Sequence, residues 1–237
     1  MLTGPRASTS NGILEAAAEL LRDGGVEAVS TRAVAAAAGT QPPNIYRRFG
    51  DKQGLLEAVT LHILHNYIAQ MRRVAYQSDD SVEDLRHLWD LYVTFAMTQP
   101  ECFALIYGPT RRGEAISAAA ETMKSMIQAA IGRIADDGRL RMSVMRATAL
   151  FRSCGVGFVL TQLAIPAVKR DWELSDIARE NALANIVVTS GASNERNTLI
   201  GRATALRQTL DGDDVPLMRA EREVMIEWLN RIADGRH

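Results

Sequence analysis

Aromatic side chains are scarce in this chain: phenylalanine, tyrosine and tryptophan together make up 5% of its 237 residues. The hydrophobic fraction of 47% is therefore mostly aliphatic and rich in alanine. Glycine and proline stand mainly at the joints between apolar, periodic segments. This composition is typical of a mainly helical protein. The length suffices for one large domain, or for a small domain joined to a larger one.

Cysteine is nearly absent from the sequence. Cys102 and Cys154 are the only two, and they stand far apart in the chain. So few cysteines argue against a fold stapled by disulfides. We therefore expect both as reduced thiols in the core of a cytosolic protein.

Long hydrophobic runs are also missing. No stretch approaches the roughly 18 uninterrupted apolar residues that a membrane span needs. The first residues, MLTGPRASTS, lack the apolar core of a signal peptide. We therefore expect a cytoplasmic protein with no membrane partner.

The net charge of −1 argues against a nucleic-acid-binding protein that is basic overall. The first 56 residues carry six cationic and five anionic side chains, so the charge asymmetry is weak. Between residues 41 and 52, however, three cationic side chains accompany a single anionic one. Any contact with DNA is therefore expected from this local cluster.

Apolar residues near the N-terminus recur at three- and four-residue spacing, which predicts three short helices. The first spans 10–23 and stops at Gly24 and the glycine after it. The second is capped by Ser30 and ends at Gly39. The third spans 41–49, with a proline at its first helical position. The expected inner face of the second helix comprises Val34, Ala35 and Ala38.

A longer helix is expected after Asp51, which is suited to cap it. Ser81 and Asp84 form a box-like capping pair at the start of the next helix. No segment shows convincing strand alternation, so the predicted fold class is all-α. The expected inner stripe of the helix after Asp51 is Leu55, Val59, Ile63, Tyr67 and Met71. The later predicted helices span 81–97, 100–107, 114–135, 143–165, 175–189, 197–210 and 216–233.

A short helix, a glycine-containing turn and a second short helix form a helix-turn-helix, whose second helix can enter a major groove. On this second helix Gln41 and Asn44 can exchange hydrogen bonds with base edges, and Arg47 and Arg48 supply positive charge. The alternative is an ordinary solvated helix face. The side chains suited to phosphate oxygens are those of Tyr46, Lys52, Ser30, Thr31 and Thr40.

Several residues at fixed spacing carry a family resemblance. They are Ile13-Leu-x-Ala-Ala, Gly25, Ser30-Thr-Arg-Ala-Val-Ala-Ala-Ala-Ala-Gly39 and Ile45-Tyr46-x-x-Phe49-x-Asp51-Lys52-x-x-Leu55-Leu56. With these anchors, residues 13–56 resemble the DNA-binding domain of the TetR/AcrR family of one-component regulators. The resemblance implies that Tyr46 and Lys52 grip phosphates and that residues 40–44 and 47 face bases. The full set of expected DNA-binding residues is Ser30, Thr31, Arg32, Thr40, Gln41, Pro42, Asn44, Tyr46, Arg47, Arg48 and Lys52.

The recognition region departs from the family pattern at three places. Thr40 and Gln41 stand where a small aliphatic residue and a serine are usual. Pro42 and Pro43 replace residues whose backbone N–H groups could meet phosphate. Arg48 replaces a second aromatic residue or a histidine. These departures leave the fold prediction intact and put the operator sequence beyond inference.

The resemblance also implies a domain organisation. Residues 1–56 would form a three-helix DNA-binding domain, and residues 57–237 a larger helical domain for effector binding and dimerisation. One recognition helix buries too little surface for tight specific binding, so we expect a homodimer on a palindromic double-stranded DNA operator. By resemblance its interface lies on 143–165 and 175–190, although the last two helices remain an alternative. Small residues suited to close approach there, or to packing within one chain, are Ser153, Gly155 and Gly157.

Aromatic and methionine residues recur at helical spacing on the helices that the family packs around a central cavity. Such a lining favours a flat or elongated apolar organic effector, although plain core packing is the alternative. The resemblance implies repression that the effector relieves. We expect the helix after Asp51 to act as the lever for that change. The expected effector-binding residues are Trp89, Tyr92, Phe95, Phe103, Tyr107, Met123, Phe151, Phe158 and Gln162.

An enzyme or lipid carrier built on a helical bundle is the alternative from another class. His62 and His65 lack a third ligand at useful spacing, and Gly155-Val-Gly157 lies in an apolar helical run and not after a strand. The aspartates at 211–214 are too few for a calcium loop. We therefore expect no catalytic residue, metal or cofactor. A further alternative is an adaptor that has lost its effector. A solidly packed bundle would favour this alternative.

Overall fold

The computed structural model describes residues 10–75, 77–107, 113–188, 195–210 and 215–234. Across these ranges the chain forms eleven α-helices, and the only β-type pairing is a single antiparallel bridge between Leu140 and Val187. The all-α prediction is confirmed. The helices are α1 Ser10–Ala28, α2 Thr31–Ala37, α3 Pro42–Phe49, α4 Lys52–Val74, α5 Ser81–Thr98, α6 Pro100–Tyr107, α7 Glu114–Asp136, α8 Val144–Leu163, α9 Leu174–Ile186, α10 Glu195–Thr209 and α11 Arg219–Asp234, with a short 3₁₀ helix at Ala167–Lys169.

The chain divides into two compact units. Unit 1 comprises residues 1–71 and 94–123, and unit 2 comprises residues 72–93 and 124–237. In unit 1, α1 packs against α2 and α6, and α2 packs against α3. In unit 2, α8 packs against α9, and α10 packs against α11. The domain boundary after residue 56 stays a prediction.

The predicted stop at the glycine pair is visible inside α1. Gly25 has a φ of 68°, a left-handed conformation that interrupts the helix before it resumes as far as Ala28. The apolar side of α1 faces inward at Ile13, Ala17 and Leu21, which are almost fully buried. The helix therefore ends in two steps where the sequence predicted one.

Asp51 caps α4 as predicted. Its Oδ1 accepts a hydrogen bond of 2.9 Å from the backbone N–H of Gly54, which satisfies one of the unpaired donors at the start of the helix. The predicted inner stripe is also confirmed, since all five of its residues are buried. They are Leu55, Val59, Ile63, Tyr67 and Met71.

The predicted capping pair at the start of α5 is wrong. Ser81 donates its hydroxyl to Asp137 Oδ2 at 2.6 Å instead of capping its own helix. Asp84 is buried, accepts from the backbone N–H of Ser78 at 2.8 Å and pairs with Arg133. The first turn is capped by Asp80, whose Oδ1 accepts from the N–H of Val82 at 3.0 Å. Both residues fit the capping-box pattern, but their side chains bind partners that are distant in sequence.

The later helices lie within a few residues of their predicted bounds. Ser143 caps α8, because its hydroxyl accepts from the backbone N–H of Arg146. Among the described residues, α8 is the one helix long and apolar enough to cross a membrane, judged by length and composition alone. The predicted stop after residue 189 and the aspartates at 211–214 lie outside the described residues.

Candidate functional site

The turn between α2 and α3 is built by local hydrogen bonds. Ser30 Oγ accepts from the backbone N–H of Ala33 at 3.1 Å, which confirms the predicted cap of α2. Gly39 adopts a φ of 59°, and the N–H of Thr40 donates to the carbonyl of Ala35 at 2.9 Å. This left-handed residue ends α2 and redirects the chain within one tight turn. The pair α2–α3 therefore has the predicted helix-turn-helix form.

The start of α3 has few backbone donors to offer. Pro42 and Pro43 have no N–H, and the N–H of Asn44 donates to the carbonyl of Gln41 at 2.9 Å. Gln41 stands at the N-cap position without a capping hydrogen bond from its side chain. A phosphate at this end of α3 would therefore have to be gripped by side chains, as the two prolines led us to expect.

One residue anchors α3 to the rest of unit 1. Ile45 is fully buried, whereas the neighbouring Tyr46 is 67% exposed. The helix thus presents its polar side to solvent. The expected DNA-binding residues lie on α2, the turn, α3 and the first residue of α4, and none of them is buried. Exposed side chains are those of Arg32, Gln41, Tyr46, Arg47 and Arg48, and half-buried ones are those of Ser30, Thr31, Thr40, Pro42, Asn44 and Lys52.

Hydrogen bonds order the side chains along this face. Asn44 Nδ2 donates to Thr40 Oγ1 at 3.1 Å, and Arg47 Nη2 donates to Asn44 Oδ1 at 3.1 Å. Arg48 points another way, because its Nη1 donates to Ser10 Oγ on α1 at 2.6 Å. The two adjacent arginines are therefore held by different partners.

Lys52 forms an ion pair with Glu27, with 3.3 Å between Nζ and Oε2. The glutamate side chain is almost fully exposed, so the pair is weak and a phosphate oxygen could replace the carboxylate. Neither Glu27 nor Ser10 was predicted as a partner of this face. No local signal marks them, because they lie 25 and 38 residues from the side chains that they contact.

In unit 1, four of the expected effector-binding residues pack into aromatic pairs or the core around them. Phe95 stacks on Tyr67 with ring centroids 4.4 Å apart, and Phe103 lies against Tyr107 at 4.5 Å. Burial, and then the charge of Tyr107, raise the pKa of Tyr67, so its phenol stays neutral. Met123 is also buried. We call the set Tyr67, Phe95, Phe103, Tyr107 and Met123 the unit 1 aromatic group.

Gln99, between the helices that carry Phe95 and Phe103, has a buried polar atom. Gln99 Oε1 is shielded from solvent and finds no hydrogen-bond donor among the described residues. The main-chain carbonyl of the same residue accepts from the N–H of Phe103 at 2.9 Å. A buried acceptor without a donor is costly, so this oxygen is a place where a bound molecule could donate. Gln99 was not among the predicted effector-binding residues.

In unit 2, the other expected effector-binding residues gather around Trp89, which is fully buried. Its indole N–H donates to Ser175 Oγ at 2.9 Å, and Gln162 Oε1 accepts from the backbone N–H of Asp171 at 2.9 Å. The Trp89 N–H and the Gln162 amide oxygen therefore both have partners within the protein. We call the set Trp89, Tyr92, Phe151, Phe158 and Gln162 the unit 2 aromatic group; Trp172 extends it by packing edge-on against Phe158.

Two family models match this chain, one near its N-terminus and one further along. Residues 13–59 match the family model for bacterial regulatory proteins of the tetR family. Residues 85–177 match the model for a C-terminal domain like that of the tetracycline repressor. The chain belongs to the TetR family. Its first match contains the helix-turn-helix described above, and the second ends before α10 and α11 begin.

Solved structures show the same fold at low sequence identity. The fatty acid degradation regulator FadR from Bacillus halodurans is 16% identical with a TM-score of 0.62, and the match covers 77% of this chain and 97% of that one. FadR from Bacillus subtilis in complex with stearoyl-CoA is 15% identical, with a TM-score of 0.62 and coverage of 73% and 97%. The ketosteroid regulator KstR2 of Mycobacterium tuberculosis is 17% identical, with a TM-score of 0.54 and coverage of 79% and 98%. Comparison with curated protein sequences gave no match.

The TetR-like C-terminal region exposes apolar side chains on α8 and α9. Met145 is 69% exposed and Ile177 is 61% exposed. The two glycines of α8 differ: a Cβ on Gly155 would lie 3.4 Å from the Tyr92 ring, whereas one on Gly157 would meet no described atom within 4 Å. Gly155 therefore serves packing inside unit 2, and Gly157 lies on the open side of the helix.

A cleft of about 320 Å³ lies in unit 2, apart from its aromatic group. Its lining is mostly polar, which differs from the apolar lining expected for the effector. The cleft is lined by Ser125, Gln128, Ala129, Gly132, Arg133, Asp136, Val144, Arg207 and Gln208.

Within the described ranges, no three residues among histidine, cysteine, aspartate and glutamate are placed to hold a metal ion. Burial raises the pKa of the Cys102 thiol to about 12, while Cys154 is half-buried.

Proposed function

We propose that this TetR-family protein is a transcriptional repressor that binds a palindromic operator as a homodimer and releases it when a small apolar or aromatic effector binds. The observation that carries the proposal is the exposed face of α3, where Gln41, Asn44 and Arg47 stand on a helix anchored by the buried Ile45. Amide and guanidinium groups are the side chains that read base edges in a major groove. Since the partner would be chromosomal DNA, the proposed location is the cytoplasm.

Phosphate contacts would come from side chains, because the first three residues of α3 have no free N–H to offer. Arg48 and Lys52 are the cations that we propose for this role. Arg48 now donates to the hydroxyl of Ser10, and Lys52 pairs with the exposed carboxylate of Glu27. A phosphate group can replace either partner. Local DNA binding needs only a few cationic side chains on each protomer, so the net charge of −1 does not conflict with it.

Dimerisation is proposed on the exposed apolar sides of α8 and α9. Met145, Leu160, Leu174 and Ile177 are each at least 39% exposed, which is unusual for so many large apolar side chains on two neighbouring helices. Gly157 would let a second helix approach closely. A partner covering this side would also explain why α8 is apolar enough to pass for a membrane span.

The unit 1 aromatic group is the proposed first contact of the effector. Gln99 stands between α5 and α6, the helices that carry Phe95 and Phe103, and its buried Oε1 has no donor among the described residues, so a ligand with one donor on an apolar body would suit this region. Among the similar structures, B. subtilis FadR was solved in complex with stearoyl-CoA, and KstR2 is described as a ketosteroid regulator. We propose an effector of this apolar class.

Within unit 1, α4 links this aromatic group to the helix-turn-helix. The helix begins at Lys52, directly after α3, and Tyr67 lies about 22 Å further along it at 1.5 Å per residue. A ligand that displaced the Tyr67–Phe95 stack could therefore shift the start of α4. A coupling free energy of about 1 to 3 kcal/mol would change operator affinity about 5- to 150-fold.

Two measurements test the proposal. Sedimentation at micromolar concentration should give a species of about 52 kDa, twice the 26.0 kDa chain, and a monomer alone would contradict the dimer. A thermal-shift screen of apolar organic compounds should yield ligands that stabilise the protein and release a bound duplex. Compounds that stabilise the protein without changing duplex affinity would contradict the effector role while leaving DNA binding intact.

An adaptor without an effector is a second candidate, favoured by the unit 2 aromatic group. Trp89 is fully buried, and its N–H and the amide oxygen of Gln162 already have partners in the protein. Such a set is a packed core more than a ligand lining. The same thermal-shift screen separates the two candidates, because an adaptor would give no ligand that alters duplex affinity.

A further inference from the structure

A chain of hydrogen bonds runs along the exposed side of the recognition helix. Thr40 accepts from Asn44, and Asn44 accepts from Arg47, each at 3.1 Å. Asn44 and Arg47 are three residues apart and lie on one face of α3, and Thr40 stands in the turn just before the helix. Thr40 and Asn44 are half-buried, whereas Arg47 is exposed. The chain thus leads from a sheltered hydroxyl to a guanidinium in solvent.

Arg47 fixes the orientation of the Asn44 amide. A guanidinium can only donate hydrogen bonds, so the amide oxygen must face Arg47 and the amide nitrogen must face Thr40. A flipped amide would set two donors against each other at Arg47. The hydroxyl of Thr40 can accept from Nδ2 and completes the arrangement.

The arrangement leaves Arg47 prepared for one kind of contact. Asn44 uses only one N–H of Nη2, so the exposed guanidinium keeps further donors for a partner. Two such donors match the O6 and N7 acceptors of guanine in the major groove. Arg48 cannot be held in the same way, because it donates to Ser10 on another helix.

We propose that Asn44 is a positioning residue that holds Arg47 for reading one guanine in each half-site, and that Thr40 in turn holds Asn44. This role rests on the operator binding proposed above, and it changes what Asn44 is expected to do. The sequence pattern predicted direct contact of Asn44 with base edges. Here its effect on specificity acts through Arg47.

The experiment begins with duplexes that the full-length protein selects from random DNA. Guanine selectivity is the ratio of affinities for the selected duplex and for one in which a single G·C pair is changed to A·T. Arg47→Ala should reduce this ratio about 5- to 150-fold at one position per half-site, the range for one bidentate contact. Asn44→Ala should reduce the ratio at the same position, and adding Arg47→Ala to it should cause little further loss.

Two conservative variants separate positioning from direct reading. Asn44→Asp keeps an acceptor for Arg47 but loses the amide donor that adenine recognition needs. It should weaken binding to all duplexes through its charge and still retain guanine selectivity. Thr40→Ser keeps the hydroxyl and should behave like wild type, whereas Thr40→Val should lower guanine selectivity without lowering the melting temperature.

The outcomes distinguish this role from operator binding itself. If the wild-type protein enriches duplexes and Asn44→Ala keeps the same guanine selectivity, the positioning role is overturned. The proposed function would still stand. The same holds if Asn44→Ala abolishes a preference for adenine at another position, since Asn44 would then read a base directly. If wild-type protein enriches no duplex, the operator function fails and the positioning role fails with it.

Discussion

The face of α3 and the aromatic group around Trp89 are organised in opposite ways. On α3 and the turn before it, exposed and half-buried polar side chains are bonded to one another, and one buried apolar residue, Ile45, anchors the helix. Around Trp89 the rings are buried or half-buried, and the Trp89 N–H and the Gln162 amide oxygen are bonded to Ser175 and Asp171. The first region keeps hydrogen-bonding capacity for a partner. The second region uses most of its hydrogen-bonding groups within the protein.

This difference indicates where each region acts. Exposed, preorganised donors contribute to recognition more than to stability, because water competes for them in the free protein. Buried rings contribute to stability, because their removal leaves a cavity. Variants of α3 should therefore change DNA binding and leave unfolding nearly unchanged, and variants around Trp89 should do the reverse.

The largest expected effect is on stability at Trp89. Trp89→Ala should lower the free energy of unfolding by about 3 to 5 kcal/mol, because it removes a fully buried ring and the partner of the Ser175 hydroxyl. Trp228 is 60% exposed, so Trp228→Ala is the matched control and should change stability by less than about 0.5 kcal/mol. Chemical denaturation measures both, and equal losses would break the contrast between buried and exposed tryptophans.

On the recognition face, Gln41→Ala should weaken binding to the selected duplex by about 1 to 3 kcal/mol and relax preference at particular base pairs. Its side chain is exposed and is not used to cap α3, so unfolding should hardly change. Gln70→Ala, an exposed glutamine on α4, is the control. A uniform loss across all duplexes would show that Gln41 contacts the backbone and does not read bases.

Ser30→Ala should lower the free energy of unfolding by about 1 kcal/mol, because the N–H of Ala33 loses its acceptor. Thr31→Ala, one residue further on, lacks this capping role and should have a smaller effect. Thermal or chemical unfolding measures the difference without DNA. If the two variants are indistinguishable, the cap contributes nothing to the turn.

A smaller effect is expected from the ion pair between Arg86 and Glu180. The hydrogen bond from Arg86 lowers the pKa of Glu180 below its usual value, so the stabilisation is present above about pH 4.5 and is lost as the pH falls through the lowered pKa. Because the Glu180 side chain is 47% exposed, Glu180→Gln should remove only about 0.2 to 1 kcal/mol at neutral pH. The wild-type and variant stabilities should converge in acid. A difference that does not shrink as the pH is lowered below 4.5 would contradict this account.

The smallest change at a single salt concentration is expected from the cations proposed to bind phosphate. Lys52→Ala and Arg48→Ala should weaken all duplexes similarly, because each leaves one phosphate without its cation. Each should also lower the slope of log affinity against log salt by about 0.9. Lys169→Ala, an exposed lysine in unit 2, should leave the slope unchanged. Slopes that match wild type in the first two variants would remove these cations from the interface.

Much of unit 1 was predictable because its signals are local. A hydroxyl at Ser30, glycines at 25 and 39, and a carboxylate at Asp51 each act on backbone atoms within a few residues. The buried stripe of α4 likewise follows from spacing alone. The helix bounds of α3 and α6 were predicted to within a residue for the same reason.

Contacts between distant residues were not predictable in this way. Ser81 and Asp84 fit a local capping pattern, yet Asp137 and Arg133 bind them across more than 45 residues. The partners of Arg48 and Lys52 and the donor for Gln162 also depend on tertiary packing. A helical period shows which residues face inward but not whether their polar atoms meet protein or ligand. For this reason the effector-binding residues stay a prediction.

Operator recognition by α3 in a dimer is the central claim, and one measurement tests it directly. Wild-type protein is incubated with random duplexes, the bound fraction is sequenced, and the affinity of the enriched duplex is measured across salt concentrations. We expect an inverted repeat with half-site centres about 34 to 36 Å apart and an affinity that falls steeply as salt rises. Enrichment of no sequence, or binding that is insensitive to salt, would contradict the claim.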